Sequence, residues 1–197
     1  MSFRKEKKIK LTNYEFDMLK NKLSDDGMYF LHKKRIVNSL YYDNLNLNMF
    51  FDSEEGLLPR KKVRIRWYDK LCKFSTEVKT SSLEGRFKTT NICEFNSHND
   101  FPSNIIDPDY GDLQPSLLVS YSREYFSYKD MRLTFDSEIK YVNHRRSLHL
   151  NNIDPECVME IKVSANFSDD YIDNCLSIPT TRFSKYCRGL LLTNHEF

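Results

Sequence analysis

The sequence predicts an α+β, mainly β protein whose strands close into a barrel, and two observations carry that expectation. Segments rich in β-branched and aromatic residues outnumber helical periodicities. Charged residues also recur two apart in strand after strand: Arg4, Glu6 and Lys8; Arg64 and Arg66; Glu77 and Lys79; Arg132 with Thr134 and Asp136; Glu160 and Lys162. Side chains alternate across a strand, so Arg64 and Arg66 share one face while Val63, Ile65 and Trp67 share the other. Five strands with a charged face are reconciled if the sheet closes. Cations and a few carboxylates then line its lumen, and apolar residues lie outside. A lumen this dense in guanidinium and ammonium groups suits a polyanion, most naturally phosphate.

In chain order, Phe3 to Lys10 alternates as a first strand. Thr12 with Glu15 has capping-box spacing, and Phe16, Leu19 and Leu23 follow at helical intervals, so a helix is expected from about Asn13 to Leu23. Ser24-Asp25-Asp26-Gly27 stops it. Ile36 to Asp43 reads as a strand, and Asn44 to Pro59 as a connection with a helical turn through Met49 and Phe50. Lys61 to Tyr68 and Lys73 to Thr80 form a hairpin around Asp69-Lys70. Arg86-Phe87-Lys88 is strand or loop. Asn96 to Pro115, rich in Asn, Asp, Pro, Ser and Gly, is the longest irregular stretch and a place for a lid or a joint.

Leu117 to Tyr128 and Met131 to Phe135 make a second hairpin. Ile139 to Asn143 and Cys157 to Val163 are further strands, separated by a polar excursion through Asn151-Asn152. Ser168-Asp169-Asp170 is expected to cap a helix carrying Tyr171, Ile172, Cys175 and Leu176. Pro179 ends it, and a basic loop runs from Thr181 to Cys187.

Composition bounds the function. The 197 residues suffice for one substantial domain, and 1–197 is read as a single one. With 29% charged and 40% apolar residues the chain is globular. A formal net charge of +2 argues against a nucleic-acid duplex as partner, since that needs a basic surface stripe. Cys72, Cys93, Cys157, Cys175 and Cys187 are odd in number and never spaced as CxxC, which points to a reducing compartment. No signal peptide and no apolar run of spanning length is present. A soluble, cytoplasmic protein is expected, with no membrane segment of its own.

Three constellations could carry chemistry. Arg64, Arg66 and Lys79 are either a charged solvent face or phosphate contacts inside a barrel. The recurrence of the pattern at Arg4, Arg123 and Arg132 favours the second. Glu160, between Met159 and Ile161, is an ordinary carboxylate paired with Lys162 or a ligand for Mg²⁺ or Mn²⁺. Such ions bind through one or two carboxylates plus phosphate oxygens. Glu6 and Glu77 come after it for that role, and can instead orient neighbouring cations. Near the carboxy terminus Ser184 offers a hydroxyl and Lys185 a cation within Arg182-Phe183-Ser184-Lys185-Tyr186. His32, His98, His144, His149 and His195 form no pair at metal spacing.

In order along the chain, Arg4 to Lys8, Ser39 to Asp43, Arg60 to Tyr68, Glu77-Val78-Lys79, Ser122 to Tyr125, Arg132 to Asp136, Glu160-Ile161-Lys162 and Ser184-Lys185-Tyr186 resemble VTC domains. These are the polyphosphate polymerase domains of the triphosphate tunnel metalloenzyme, or CYTH-like, superfamily. The resemblance spans nearly the whole chain and implies an eight-stranded antiparallel tunnel barrel with a few flanking helices. It also implies a triphosphate or polyphosphate ligand with Mg²⁺ or Mn²⁺. By that resemblance Lys8, Arg64, Arg66, Lys79, Arg123, Arg132, Arg182 and Lys185 look like phosphate-binding residues, beside the hydroxyl of Ser184. Arg64, Arg66, Lys79, Arg132 and Lys185 are expected to act in catalysis, and Glu160 to hold the metal.

Hydrolases of the superfamily open with Glu-x-Glu-x-Lys, where this chain has Arg4-x-Glu6-x-Lys8. That difference moves the expectation from hydrolase toward polymerase, with ATP or another triphosphate as donor and inorganic polyphosphate as acceptor. A triphosphatase using the same tunnel and a binding module without turnover remain the alternatives. No sensor domain and no membrane anchor are expected within the chain.

Overall fold

A computed structural model of the chain describes residues 4–70, 73–145, 152–168 and 170–194. The elements are β1 (Arg4–Leu11), α1 (Asn13–Asp25), β2 (Tyr29–Asp43), α2 (Asn48–Glu55), β3 (Arg60–Tyr68), β4 (Phe74–Ser82), β5 (Gly85–Cys93), β6 (Ile105–Asp107), β7 (Gly111–Tyr128), β8 (Met131–Asn143), β9 (Asn152–Ile153), β10 (Cys157–Ser164), α3 (Tyr171–Leu176) and α4 (Lys185–Thr193). Eight strands form one path in the order β1-β10-β8-β7-β2-β3-β4-β5, with β6 on β7 and β9 on β8. Every pair whose register is described is antiparallel. The mainly β, α+β expectation is borne out.

The chain divides into two compact units, each assembled from three separate segments. The first comprises residues 1–36, 121–139 and 153–183. In it α1 begins as the sequence predicts: the Thr12 hydroxyl accepts from the Glu15 N–H at 3.2 Å, and the Glu15 carboxylate accepts from the Thr12 N–H at 2.8 Å. It runs two residues past Leu23, and Gly27 takes φ 90°, where a side chain would be strained. Phe16, Leu19 and Leu23 of α1 pack on Ile9, Leu133, Phe135, Met159 and Ile161, joined by Ile172 and Leu176 of α3. No side-chain bond caps α3 from Asp170. Instead the Tyr171 N–H donates to the Ser168 carbonyl at 3.3 Å. Asp169, Asn151, Cys72, His149, His195, Phe3 and the Arg4 side chain lie outside the described residues.

The second unit comprises residues 37–120, 140–152 and 184–197. Its core gathers Leu40, Tyr42, Met49, Val63, Ile65, Trp67, Phe74 and Leu113. The stretch from Asn96 carries a short 3-10 turn at His98–Asp100 and then β6. Its Phe95 and Phe101 pack on Phe74, with Phe101 also against Trp67 at 5.4 Å between centroids. Where a single helical turn is expected, α2 spans eight residues. Its N-cap residue, Leu47, makes no side-chain bond; the Asn44 side chain accepts from the Asn48 N–H, and the Asp43 carboxylate at the end of β2 accepts from the N–H groups of Met49 and Phe50, each at 3.0 Å.

Several boundaries differ from expectation. β2 starts at Tyr29 and not at Ile36, because its first six residues are exposed and show no apolar alternation. β7 begins inside the supposedly irregular stretch and passes through Pro115. Ile139 to Asn143 is no separate strand but the end of β8, which continues through Glu138 at φ 53°. The expected loop Thr181–Cys187 contains the start of α4, capped by the Ser184 hydroxyl, which accepts from the Cys187 N–H at 3.3 Å.

Gly189 of α4 lies against Leu117 and Tyr141, where an added Cβ would come 2.6 and 2.5 Å from their carbons. Both neighbours are fully buried. Gly189→Ala is expected to destabilise by about 1–3 kcal/mol, measured as a lower Tm in thermal unfolding.

Candidate phosphate site

In the second unit, cross-strand register places the charges of β3, β4 and β5 on one face. Arg64 stands opposite Glu77, and Lys62, Lys79 and Lys88 oppose one another across three strands. Arg60, Ser81 and Arg86 form the next row. Like charges directly opposed destabilise a sheet, so a row of three lysines is a feature that an anion would relieve. The alternate residues Val63, Ile65 and Val78 belong to or pack on the apolar core.

Glu77 is the hub of that face. It is 3% exposed, and its Oε2 accepts from Arg64 Nε at 2.8 Å and Nη2 at 2.5 Å. Arg66 lies 3.7 Å from the same oxygen, and Lys88 Nζ donates to Oε1 at 2.5 Å. Burial pushes the Glu77 pKa up, but Arg64, Arg66 and Lys88 outweigh it and bring it down to about 2. Three cations around one carboxylate leave local positive charge. β2 supplies the other contacts: Arg64 Nη1 donates to the Tyr41 hydroxyl at 2.8 Å and Arg66 Nε to the Ser39 hydroxyl at 3.1 Å. Burial opposes ionisation of Tyr41, yet Arg64, Arg66 and Lys62 together lower its pKa. The Tyr41 ring stacks on Tyr186, whose hydroxyl donates to Asp43 at 2.6 Å.

Lys62, not anticipated as a site residue, donates to the Ser184 hydroxyl at 2.7 Å, so Ser184 joins this unit's cationic cluster. Lys185 follows as the first residue of α4 and is half-buried. Strand periodicity from Arg64 already pointed to Lys62, and hairpin register to Lys88; the two steps together would have found them.

The first unit carries a second charged face. Register places Lys8 opposite Glu160 and Glu160 opposite Thr134, with Glu6, Lys162 and Arg132 in the next row. Arg123 of β7 grips Asp136 of β8 with two bonds, at 2.6 and 2.7 Å, and reaches Glu160 at 3.6 Å. Lys162 holds the other Glu160 oxygen at 2.7 Å. Burial disfavours the Glu160 anion, but Arg123, Lys162 and Lys8 keep its pKa well below the usual carboxylate value. Asp136 and Glu160 likewise hold the buried Arg123 guanidinium well above its ordinary value, against the cost of burial. Lys8 Nζ donates to the Phe183 carbonyl at 2.8 Å. Arg132 is exposed and lies over the Tyr125 ring at 5.5 Å, and Arg182 is exposed.

Among the described residues no three His, Cys, Asp or Glu side chains are placed to hold a metal by themselves. Glu160 is an ionised carboxylate, and Glu6 sits diagonally from it on the neighbouring strand and the same face. That set fits a hard divalent ion held by one or two carboxylates plus phosphate oxygens. It does not fit a closed protein cage.

Each unit therefore carries its own sheet face of cations with carboxylates set among them. The chain belongs to the VTC domain family, whose model matches residues 3–194 and so spans both units. Its fold is that of the triphosphate tunnel, CYTH-like proteins. A Bacillus halodurans protein named as a candidate adenylate cyclase superposes with a TM-score of 0.56 at 16% identity, over 92% of this chain and 95% of that one. The PH1012 protein of Pyrococcus horikoshii gives 0.57 at 10% identity, over 93% and 99%. A Hippeastrum protein, named as a candidate adenylyl cyclase with a dominant triphosphatase activity, gives 0.53 at 14% identity, over 94% and 95%. No curated protein matches the sequence.

Because the Glu77 pKa is depressed, its contribution to stability is fully present above pH 4.5 and is lost as pH falls toward 2. Urea unfolding between pH 6 and pH 3 is expected to show that loss. Glu77→Ala removes the buried counter-charge of Arg64, Arg66 and Lys88 and is expected to cost about 3–5 kcal/mol at neutral pH in the same measurement.

Proposed function

We propose that this chain is a metal-dependent phosphotransferase of the polyphosphate polymerase type, which moves the terminal phosphoryl group of ATP onto a polyphosphate chain. The single observation that carries it is the clustering of cations on sheet faces: Arg64, Arg66, Lys62, Lys79 and Lys88 in the second unit, and Lys8, Arg123 and Arg132 in the first. Guanidinium forks and ammonium groups at this density suit ionised phosphates and little else. The VTC family supports the reading at the level of the domain.

In the reaction, a terminal oxygen of the acceptor chain forms a bond to the γ-phosphorus. The bond from that phosphorus to the β,γ-bridging oxygen breaks, and ADP leaves with it. The protein supplies no covalent group. Arg64, Arg66 and Lys79 hold phosphate oxygens, Lys8, Arg123, Arg132, Arg182, Ser184 and Lys185 add further contacts, and Glu77 and Asp136 keep guanidiniums aimed before the ligand arrives. Positioning and charge stabilisation then carry the transfer. Mg²⁺ or Mn²⁺, held by Glu160 with Glu6, would neutralise charge on the phosphate oxygens.

The runner-up is hydrolysis at the same site with water as acceptor, favoured by the triphosphatase activity of the Hippeastrum protein. A cytoplasmic location fits the free thiols of Cys93, Cys157, Cys175 and Cys187, and no helix among the described residues is long and apolar enough to cross a membrane.

Purified protein with ATP and Mn²⁺ is expected to yield polymeric phosphate resolved on a gel. Free phosphate alone would establish the hydrolase. Neither product, with tight metal-independent binding of polyphosphate, would establish a binder. Glu160→Gln is expected to abolish turnover with little change in ligand affinity. Loss of Arg64 and Arg66 together is expected to weaken tripolyphosphate binding by roughly a hundredfold or more under every reading, so it tests the site and not the reaction.

A further inference from the structure

Around Glu160 several charged groups are paired within the protein, and one buried hydroxyl is not. Asp136 has both oxygens on Arg123, Glu160 has Lys162 and Arg123, and Lys8 has the Phe183 carbonyl. Thr134 is 3% exposed, and its hydroxyl is buried with no hydrogen-bond partner among the described residues. Register sets it directly opposite Glu160, in the row that begins with Lys8. Alternation sets it on the charged face with Asp136, away from Leu133 and Phe135 in the core.

A buried hydroxyl without a partner costs free energy, whereas a valine of the same shape would cost nothing there. A threonine retained amid paired charges therefore needs a partner that the protein does not itself supply. The surrounding carboxylates are already occupied by cations, so the free capacity is the hydroxyl proton. Its natural acceptor is an anionic oxygen arriving from outside. Resting on the phosphate reading above, we infer that Thr134 is a ligand-contacting residue: its hydroxyl donates a hydrogen bond to a non-bridging phosphate oxygen bound on the face that Arg123 and Lys8 share with it.

The test is tripolyphosphate affinity, by calorimetry at fixed salt, together with Tm in the absence of ligand, for wild type, Thr134→Val, Thr134→Ser and Thr134→Ala. A hydrogen bond to a charged group predicts that Thr134→Val binds about tenfold or more weakly, while its Tm is unchanged or higher. Thr134→Ser is expected to bind close to wild type and Thr134→Ala to match the valine variant. The Ser and Ala pair thus isolates the hydroxyl even if the valine variant fails to fold. Equal affinity with and without the hydroxyl, or a lowered Tm with unchanged affinity, overturns the inference and leaves the phosphate reading standing. Wild-type protein that binds no tripolyphosphate overturns both.

Discussion

Successive side chains of a strand leave on opposite faces, so a sheet sorts its sequence into two surfaces, and nearly everything in this chain follows from that sorting. In β3 it sends Val63 and Ile65 into a core and Arg64 and Arg66 to the other side, where both are nonetheless buried. Guanidiniums under cover need counter-charge. Glu77 provides it, because register sets it opposite Arg64. The same sorting in β1, β8 and β10 separates the core beneath α1 from the face of Lys8, Glu160 and Asp136.

The carboxylates also decide what the cations can do. Glu77 engages Arg64, Arg66 and Lys88 at once, yet it carries one charge against their three. The guanidiniums are therefore held in place without being neutralised as a group. A cluster of this kind has its donors oriented in advance and keeps a net positive charge.

Much of this was legible in the residues, because alternation is local and needs no knowledge of the partner strand. The faces of Arg64 and Arg66, of Glu160 and Lys162, and the capping box of α1 all rest on spacings of two or three residues. What escaped reading depends on register or on distant partners. The lysine row exists only once Lys62, Lys79 and Lys88 are brought level by two hairpins. The length of α2 is not legible locally, because Asp43, which accepts from two of its first N–H groups, sits on β2. The start of α4 reads as a loop because Arg182, Ser184 and Lys185 obscure an apolar run that starts only at Tyr186. The first part of β2 carries no signal in the sequence, because an exposed strand shows no periodicity.

β5 ends the strand path and is exposed along almost its whole length. Such a border, with its unpaired amides, invites another chain to extend the sheet. Arg86 and Lys88 stand on that border, and Ile92 is its exposed aliphatic residue. Two like charges on neighbouring rows of one face oppose the approach of an identical strand. An anion that neutralised them would weaken that guard, and the rim would then be most open to aggregation.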